Sequence, residues 1–158
     1  MSVAFRRESD EEHKEPRFEL PIPVGPNLVT AAGLRQAEER VAALAALVAS
    51  EKDETRLAEA QRTLRYWRTR LATAELVPLP PEGEAAFGSR VTFRLGGQER
   101  IVDIVGDDEA DPAHGKISFS APLARALIGA GPGDFSDFGG KPDAIEIADV
   151  GSIDESGD

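Results

Sequence analysis

Two stripes of apolar residues, separated by a short polar segment, constrain the fold of this chain more than any other feature. Within each stripe the apolar residues stand three or four positions apart, which places them on one face of a helix. The stripes comprise Leu34, Ala37, Val41, Leu44 and Val48, and then Leu57, Ala60, Leu64, Trp67, Leu71 and Ala74. The segment S-E-K-D-E-T between them has the length of loops that join antiparallel helices. We therefore predict an antiparallel helical hairpin, a short coiled coil, over residues 29–77, with its first helix opening at Thr30.

The sequence after the hairpin changes to a β pattern. Prolines predict a linker over residues 78–86, because proline removes a helical N–H donor and fixes its own dihedral angle. Apolar residues then alternate along residues 91–95, and the pair Gly96-Gly97 is a hairpin turn signal. Residues 100–105 are predicted to form the return strand.

The remaining elements predict a small α+β domain over residues 87–150. Strands are expected at residues 116–119 and 144–148. Between them, residues 121–128 are predicted to form a short helix capped by Ser120. Strands with one helix packed on them make an α+β unit.

Both ends of the chain are predicted to lie outside these two domains. Residues 1–28 are charged and then rich in proline, which is typical of a flexible or extended arm. Apolar residues alternate between positions 18 and 24, so part of this arm is a candidate for an added strand or a docked peptide. Residues 151–158 are predicted to be an acidic tail.

Composition narrows the classes of function. The chain has 158 residues, 41% of them apolar, which suffices for one ordinary domain or two small ones. A formal net charge of −11 disfavours non-specific binding to a nucleic-acid backbone and favours a protein partner. No apolar run approaches the length of a membrane span and no signal region opens the sequence, so a cytoplasmic protein without membrane contact is expected. Without cysteines, and with only His13 and His114, a metal site built on thiolate or imidazole is not expected.

The most informative motif is the run G-D-D-E-A-D-P-A-H-G-K-I-S-F-S-A-P-L-A-R-A-L-I-G at residues 106–129. Its letters D-E-A-D suggest a helicase, but the chain has no phosphate-cradling G-x-x-x-x-G-K-[ST] loop. A calcium-binding EF-hand loop starting at Asp107 would need glycine at its sixth position and glutamate at its twelfth. Those positions hold Pro112 and Ser118. Neither function is therefore predicted.

The run resembles the C-terminal signature of the bacterial Gre factors, the GreA and GreB transcript-cleavage proteins. That signature is approximately V-G-x-D-E-A-D, then K-I-S, then S-P-x-A-R-A-L-x-G, and the resemblance covers residues 87–150. It implies an FKBP-like fold for this domain. It also implies RNA polymerase as the partner, with the S-P-x-A-R-A-L segment docking at the rim of the polymerase secondary channel.

The resemblance assigns the docking residues by position. The segment departs from the family at Ala121, where the family usually has serine, and loses one hydroxyl there. Leu123, Ala126 and Leu127 stand at helical spacing and are predicted to pack on the sheet. The residues predicted to dock are Ser120, Ala121, Pro122 and Arg125, with Asp108, Glu109 and Asp111 as acids that would address a basic partner surface or remain a solvated turn.

The hairpin tip bears on whether RNA cleavage is stimulated. In Gre factors, carboxylates at the tip help to hold a second magnesium ion in the polymerase active site. Here Glu51, Asp53 and Glu54 surround Lys52, but no D-L-x-E-N type motif is present. Each arm is about 30 Å long, and the family's cleavage-competent hairpins are longer by about three turns per helix, or about 15 Å. The short hairpin is similar to the Rnk-like branch, whose members bind polymerase without delivering cleavage carboxylates, and acids at a hinge are usually a solvated turn.

Arginines concentrate in the second helix. Arg62, Arg65 and Arg68 are candidates for facing RNA, by analogy with a basic patch of the family. The alternative is that these arginines pair with Glu38 and Glu39 or remain solvated, while Trp67 belongs to the core.

The predicted function is that of a Gre-like transcription regulator. We expect a monomer that binds RNA polymerase at the secondary channel, is not itself an enzyme and needs no cofactor. The alternative is a transcript-cleavage elongation factor that rescues backtracked polymerase. In that case the tip acids would position a Mg²⁺ ion shared with the polymerase active site.

Overall fold

The structure, a computed structural model, describes residues 19–153. Contacts between Cα atoms divide this part of the chain into two compact units. The first unit contains residues 19–25 and 36–73, and the second contains residues 26–35 and 74–153. No helix in the described residues is long and apolar enough to cross a membrane.

The first unit is the predicted helical hairpin. Helix α1 is Ala31–Ser50 and helix α2 is Glu54–Thr73, each 20 residues long. Only residues 51–53 connect them, because the last residues of the predicted hinge already belong to the first turn of α2. The first turn of α1, up to Arg35, belongs by its contacts to the second unit.

The apolar stripes of the two helices form the core of the hairpin. Ala37 on α1 and Ala60, Leu64 and Trp67 on α2 are buried. The ring of Tyr66 meets the ring of Trp67 edge to face, with centroids 5.5 Å apart. The prediction that Trp67 belongs to the core is therefore confirmed.

The second unit is built on a mixed five-stranded sheet. Its strands are β3 Ser89–Leu95, β4 Gln98–Val105, β5 Lys116–Ser118, β6 Phe135–Phe138 and β7 Lys141–Ser152, in the order β5-β4-β3-β7-β6. All neighbours are antiparallel except β4 and β5. Gly96 and Gly97 join β3 to β4 with φ values of 60° and 79°, as a tight hairpin turn requires. The α+β prediction, with a helical hairpin before a sheet domain, is confirmed.

A separate two-stranded pair also belongs to the second unit. Strand β1, Leu28–Val29, lies parallel to strand β2, Glu75–Leu76. The arm predicted for residues 1–28 thus ends in a strand at Leu28, residues 19–27 form no strand, and residues 1–18 lie outside the described residues. The segment that was predicted as a linker buries Ala85 in the hydrophobic core of the second unit.

The C-terminal part of the second unit differs from two sequence predictions. Strand β7 is longer on both sides than the predicted strand 144–148, because it pairs with β3 as far as Ser152 and with β6 back to Lys141. Edge strand β6 was not predicted. The tail predicted from residue 151 is wrong for its first residues, since 151 and 152 lie in β7 and Ile153 is buried. Residues 154–158 lie outside the described part.

The core of the second unit is closed by one short helix, α3, Pro122–Leu127. Ala124 and Leu127 are fully buried against a cluster that includes Phe93, Ile104 and Ile145. Leu123 and Ala126 are partly buried and pack on the same cluster, as predicted. One side of α3 is therefore fixed by the core, which leaves the other side for solvent.

Candidate functional site

The acidic run before α3 is an ordered structure and not merely a solvated turn. It contains two 3₁₀ turns, Asp107–Glu109 and Pro112–His114. The Oδ1 atom of Asp107 accepts hydrogen bonds from the hydroxyls of Ser118 and Ser120, at 2.5 and 3.2 Å. Asp107 therefore ties the acidic run to the residues that lead into α3, a role that the sequence analysis missed.

Glu109 has a structural role that the sequence did not reveal. Its carboxylate accepts hydrogen bonds from the backbone N–H and the hydroxyl of Thr30, at 3.2 and 2.5 Å, and from the backbone N–H of Gly106 at 3.2 Å. The Thr30 hydroxyl in turn accepts the N–H of Gly33 at 3.0 Å and caps α1. Both oxygens of Glu109 are engaged inside the unit, so this residue anchors the start of α1, and its docking role stays a prediction.

The cap of α3 differs from the prediction. Ala121, and not Ser120, occupies the N-cap position, because its carbonyl accepts the first helical N–H, that of Arg125 at 3.0 Å. No side chain caps the helix. The hydroxyl of Ser120 is instead bonded to Asp107 and Ser118. The position at which this chain departs from the family signature is thus the N-cap position, where serine is among the favoured residues.

The predicted docking residues that face solvent lie on one segment. Ser120, Pro122 and Arg125 are exposed, and Pro122 and Arg125 stand three positions apart on the outer side of α3. Asp111 is also exposed, and its Oδ2 lies 2.6 Å from Nδ1 of His114. Asp108 is only partly exposed and takes part in a further interaction. We call Ser120, Pro122 and Arg125 the α3 face.

The acids at the hairpin tip are engaged in local hydrogen bonds. The Oδ2 atom of Asp53 accepts the backbone N–H of Arg56 at 2.9 Å, and so Asp53 caps α2. The Oε2 atom of Glu51 accepts the N–H of Asp53 at 3.1 Å. Glu54 is exposed in the first turn of α2, where a negative charge is favourable. Within residues 19–153, no group of three acidic or histidine side chains is placed to hold a metal ion.

The arginines of α2 lie in different environments. Arg65 donates from Nε and Nη2 to the two oxygens of Glu19, at 2.8 and 2.9 Å. This pair lowers the pKa of Glu19 and raises that of Arg65, with the hydrogen bond as the main cause of both shifts. Arg68 is exposed and Arg62 is half-buried. The partner of Arg65 was not predicted, because Glu19 is 46 positions away.

The fold and this site define a C-terminal domain of the kind found in bacterial transcription elongation factors. Residues 80–150 match the family model "Transcription elongation factor, GreA/GreB, C-term". This part of the chain is therefore similar to the C-terminal domain of the GreA/GreB family.

Relatives with curated names agree with this assignment. The chain is 43% identical over 77 residues to transcription elongation factor GreB of Pasteurella multocida. That match covers 47% of this chain and 49% of the relative. It is 38% identical over 86 residues to GreA of Vibrio parahaemolyticus. That match covers 52% of this chain and 55% of the relative. The chain thus spans about half the length of these relatives.

Solved structures give a more distant likeness. The crystal structure of GreA factor homolog 1 (Gfh1) of Thermus thermophilus is 19% identical, covers 81% of this chain and 100% of that chain, and has a TM-score of 0.37. That score is too low to bear on function.

Proposed function

We propose that this chain binds RNA polymerase at the rim of the secondary channel and regulates transcription elongation without supplying carboxylates for RNA cleavage. The observation that carries the proposal is the two-sided character of α3. In a domain that matches the GreA/GreB family, Ala124 and Leu127 hold the helix in the core, while Pro122 and Arg125 face solvent. The α3 face also lies within the segment that the family resemblance identifies as the docking element.

The chemistry of the α3 face suits a protein partner. Proline presents a rigid surface, and arginine is enriched at protein interfaces because its planar guanidinium makes several directed hydrogen bonds. The segment before the helix is held in place by Asp107 through Ser118 and Ser120. The face is therefore positioned before a partner arrives, and little ordering entropy remains to be lost on binding.

The hairpin tip supports the part of the proposal that concerns cleavage. A carboxylate that holds Mg²⁺ must approach it to about 2.1 Å. Asp53 and Glu51 use carboxylate oxygens to accept backbone N–H groups at the tip, and binding a metal through those oxygens would break these bonds. The helices, at 20 residues each, are also only about 30 Å long. Both observations favour a regulator over a cleavage factor.

Binding to core RNA polymerase tests the docking step. Arg125→Glu should weaken binding by at least about tenfold, since losing one central interface arginine typically costs more than 1.4 kcal/mol. Arg100→Glu is the matched control, because Arg100 is exposed on β4 of the same unit and undergoes the same change of charge. The docking proposal fails if wild-type chain does not bind, or if Arg125→Glu binds like the control.

Cleavage of RNA in backtracked polymerase complexes tests the second step. Wild-type chain should leave the intrinsic cleavage rate unchanged, with a GreA relative as the positive control. The triple variant Glu51→Gln, Asp53→Asn and Glu54→Gln removes the tip charges, while asparagine preserves the helix cap. If wild-type chain accelerates cleavage and the triple variant binds equally well but does not, the chain is a cleavage factor that uses a Mg²⁺ ion shared with the polymerase.

Two further parts of the proposal concern partners. Contact between nascent RNA and the α2 arginines, and a monomeric state in solution, stay predictions. Crosslinking of RNA to Arg62 or Arg68 in an elongation complex, and sedimentation of the free chain, are the measurements that test them.

A further inference from the structure

Glu19, Leu20 and Ile22 lie against helix α2 within the first unit and form a contact that the proposed function does not use. Both oxygens of the Glu19 carboxylate accept hydrogen bonds from one guanidinium, that of Arg65, at 2.8 and 2.9 Å. This two-bond geometry is the strongest and most directional way for arginine to bind a carboxylate. We call residues 19–25 the N-terminal segment.

A groove of about 250 Å³ lies beside this ion pair. Leu20 and Ile22 of the N-terminal segment line it from one side, and Tyr66 and Thr69 of α2 line it from the other. Tyr66 also packs edge to face on the buried Trp67, so the core of the hairpin supports this wall. Helix α2 therefore presents a guanidinium next to a supported aromatic wall. This surface accepts a peptide in which a carboxylate residue is followed by apolar residues at the first and third positions after it.

The N-terminal segment is held loosely on this surface. The side chains of Glu19 and Arg65 are 55% and 54% exposed. Leu20 and Ile22 remain 37% and 44% exposed. Exposed ion pairs are screened by salt, and half-exposed apolar side chains gain only part of their burial energy. A competing peptide with the same pattern can therefore displace the segment.

The observed occupant distinguishes between classes of partner. A phosphate backbone would meet Arg65 and the neighbouring Arg62, whose charge also acts on Glu19. However, it would bring no aliphatic side chains to the groove beside them. The segment seen in the structure pairs with the guanidinium and brings Leu20 and Ile22 to the groove, where they form one wall.

We infer that this face of α2 is a binding site for an extended acidic peptide of a partner protein, and that the N-terminal segment occupies it as an intramolecular competitor. The recognised pattern is a carboxylate residue followed at the first and third positions by apolar residues, as in Glu19, Leu20 and Ile22. This site is independent of the α3 face and would remain if polymerase docking were disproved.

Full-length variants and a labelled peptide test this inference. The probe is a fluorescein-labelled, acetylated peptide of sequence Glu-Leu-Pro-Ile-Pro-Val, followed by fluorescence anisotropy. Glu19→Arg places a positive charge against Arg65 and should release the N-terminal segment. The variant should bind the probe about tenfold more tightly than wild type, which is the change expected if the segment occupies the site about 90% of the time.

Two further variants identify the site. In the Glu19→Arg background, Arg65→Gln should abolish binding of the probe. Arg56→Gln, the same change on the first turn of α2, should leave binding within about twofold, since Arg56 does not line this groove. In ¹⁵N spectra, the Nε–H resonance of Arg65 should move in Glu19→Arg and return towards its wild-type position when the probe is added.

Each remaining outcome overturns the inference. It is wrong if wild type and Glu19→Arg bind the probe equally, if neither binds it, or if Arg65→Gln leaves binding intact. It is also wrong if a single-stranded oligouridylate binds Glu19→Arg more tightly than the peptide does, because the surface would then be a site for nucleic acid. Circular dichroism of each variant shows whether the hairpin remains helical.

Discussion

Replacing Gly33 by alanine should destabilise the protein, although the same change in most helices is stabilising. Gly33 lies in the first turn of α1, where alanine is normally favoured over glycine by about 0.5–1 kcal/mol. At this position, however, an added Cβ would lie 2.3 Å from Oε2 and 2.4 Å from Cδ of Glu109. The Glu109 carboxylate would therefore have to move away from the helix start.

The expected magnitude follows from the hydrogen bonds that Glu109 would lose. Its carboxylate accepts three, two from Thr30 and one from Gly106, and Thr30 is fully buried. A hydrogen bond to a charged group is worth about 1.5–3 kcal/mol, and water restores part of that for a half-buried carboxylate. Losing the two bonds from Thr30 should cost about 2–4 kcal/mol. After the gain in helix propensity is subtracted, Gly33→Ala should lower the free energy of unfolding by about 1–3 kcal/mol.

A double-mutant cycle separates this mechanism from a simple clash with the backbone. The free energies of unfolding of wild type, Gly33→Ala, Glu109→Ala and the double variant are measured by urea denaturation followed by circular dichroism. Glu109→Ala alone should cost about 2–4 kcal/mol. In that background the obstacle to the new Cβ is gone, so Gly33→Ala should become stabilising by about 0.5–1 kcal/mol.

The reversal of sign is the decisive result. The reasoning is refuted if Gly33→Ala stabilises the wild-type protein. It is also refuted if the cost of Gly33→Ala is the same with and without the Glu109 carboxylate, since the carboxylate would then not be what the new methyl group displaces.

Three further predictions concern caps and pH. Ala121→Ser should raise the free energy of unfolding by about 0.5–1 kcal/mol in thermal or urea denaturation, because it supplies the missing N-cap of α3. Asp53→Ala should lower it by about 1 kcal/mol, whereas Asp53→Asn, which still accepts the N–H of Arg56, should change it little. The pKa of Glu19 lies below its ordinary value of 4.5, so its pair with Arg65 should be intact above pH 4.5 and be lost as the pH falls through the lowered pKa. The Nε–H resonance of Arg65, followed during acid titration, reports that loss, and a resonance that does not respond contradicts the pairing.

Within the second unit, the sequence predicted elements well where one local period dominates. The alternation along β3 and the Gly96-Gly97 pair identified a hairpin, because both signals act over a few residues. Strand β6 carried no such signal, since Phe135 is exposed at the sheet edge and glycines follow the strand. The full length of β7 was not visible either, because pairing with β3 and β6 extends it beyond its own apolar alternation.

Side-chain roles within the candidate site were harder to predict than the elements that hold them. Serine before a proline-containing helix is a cap signal, yet the structure gives the cap position to Ala121 and bonds Ser120 to Asp107. The choice between adjacent residues depends on where a distant carboxylate stands. No pattern within the helix itself contains that information.

By itself, the sequence determined the helical hairpin, the β3–β4 turn and the motif that marks a GreA/GreB domain, because periodicity, turn chemistry and motif spacing act between near neighbours. Only the tertiary structure decided which acids are engaged in hydrogen bonds within the fold. Glu109 is bonded to Thr30, 79 positions away, and Glu19 to Arg65, 46 positions away. An acidic residue looks the same in the sequence whether its carboxylate is solvated, caps a helix or accepts two hydrogen bonds from an arginine. Its role is set by the donors that folding brings within hydrogen-bonding distance.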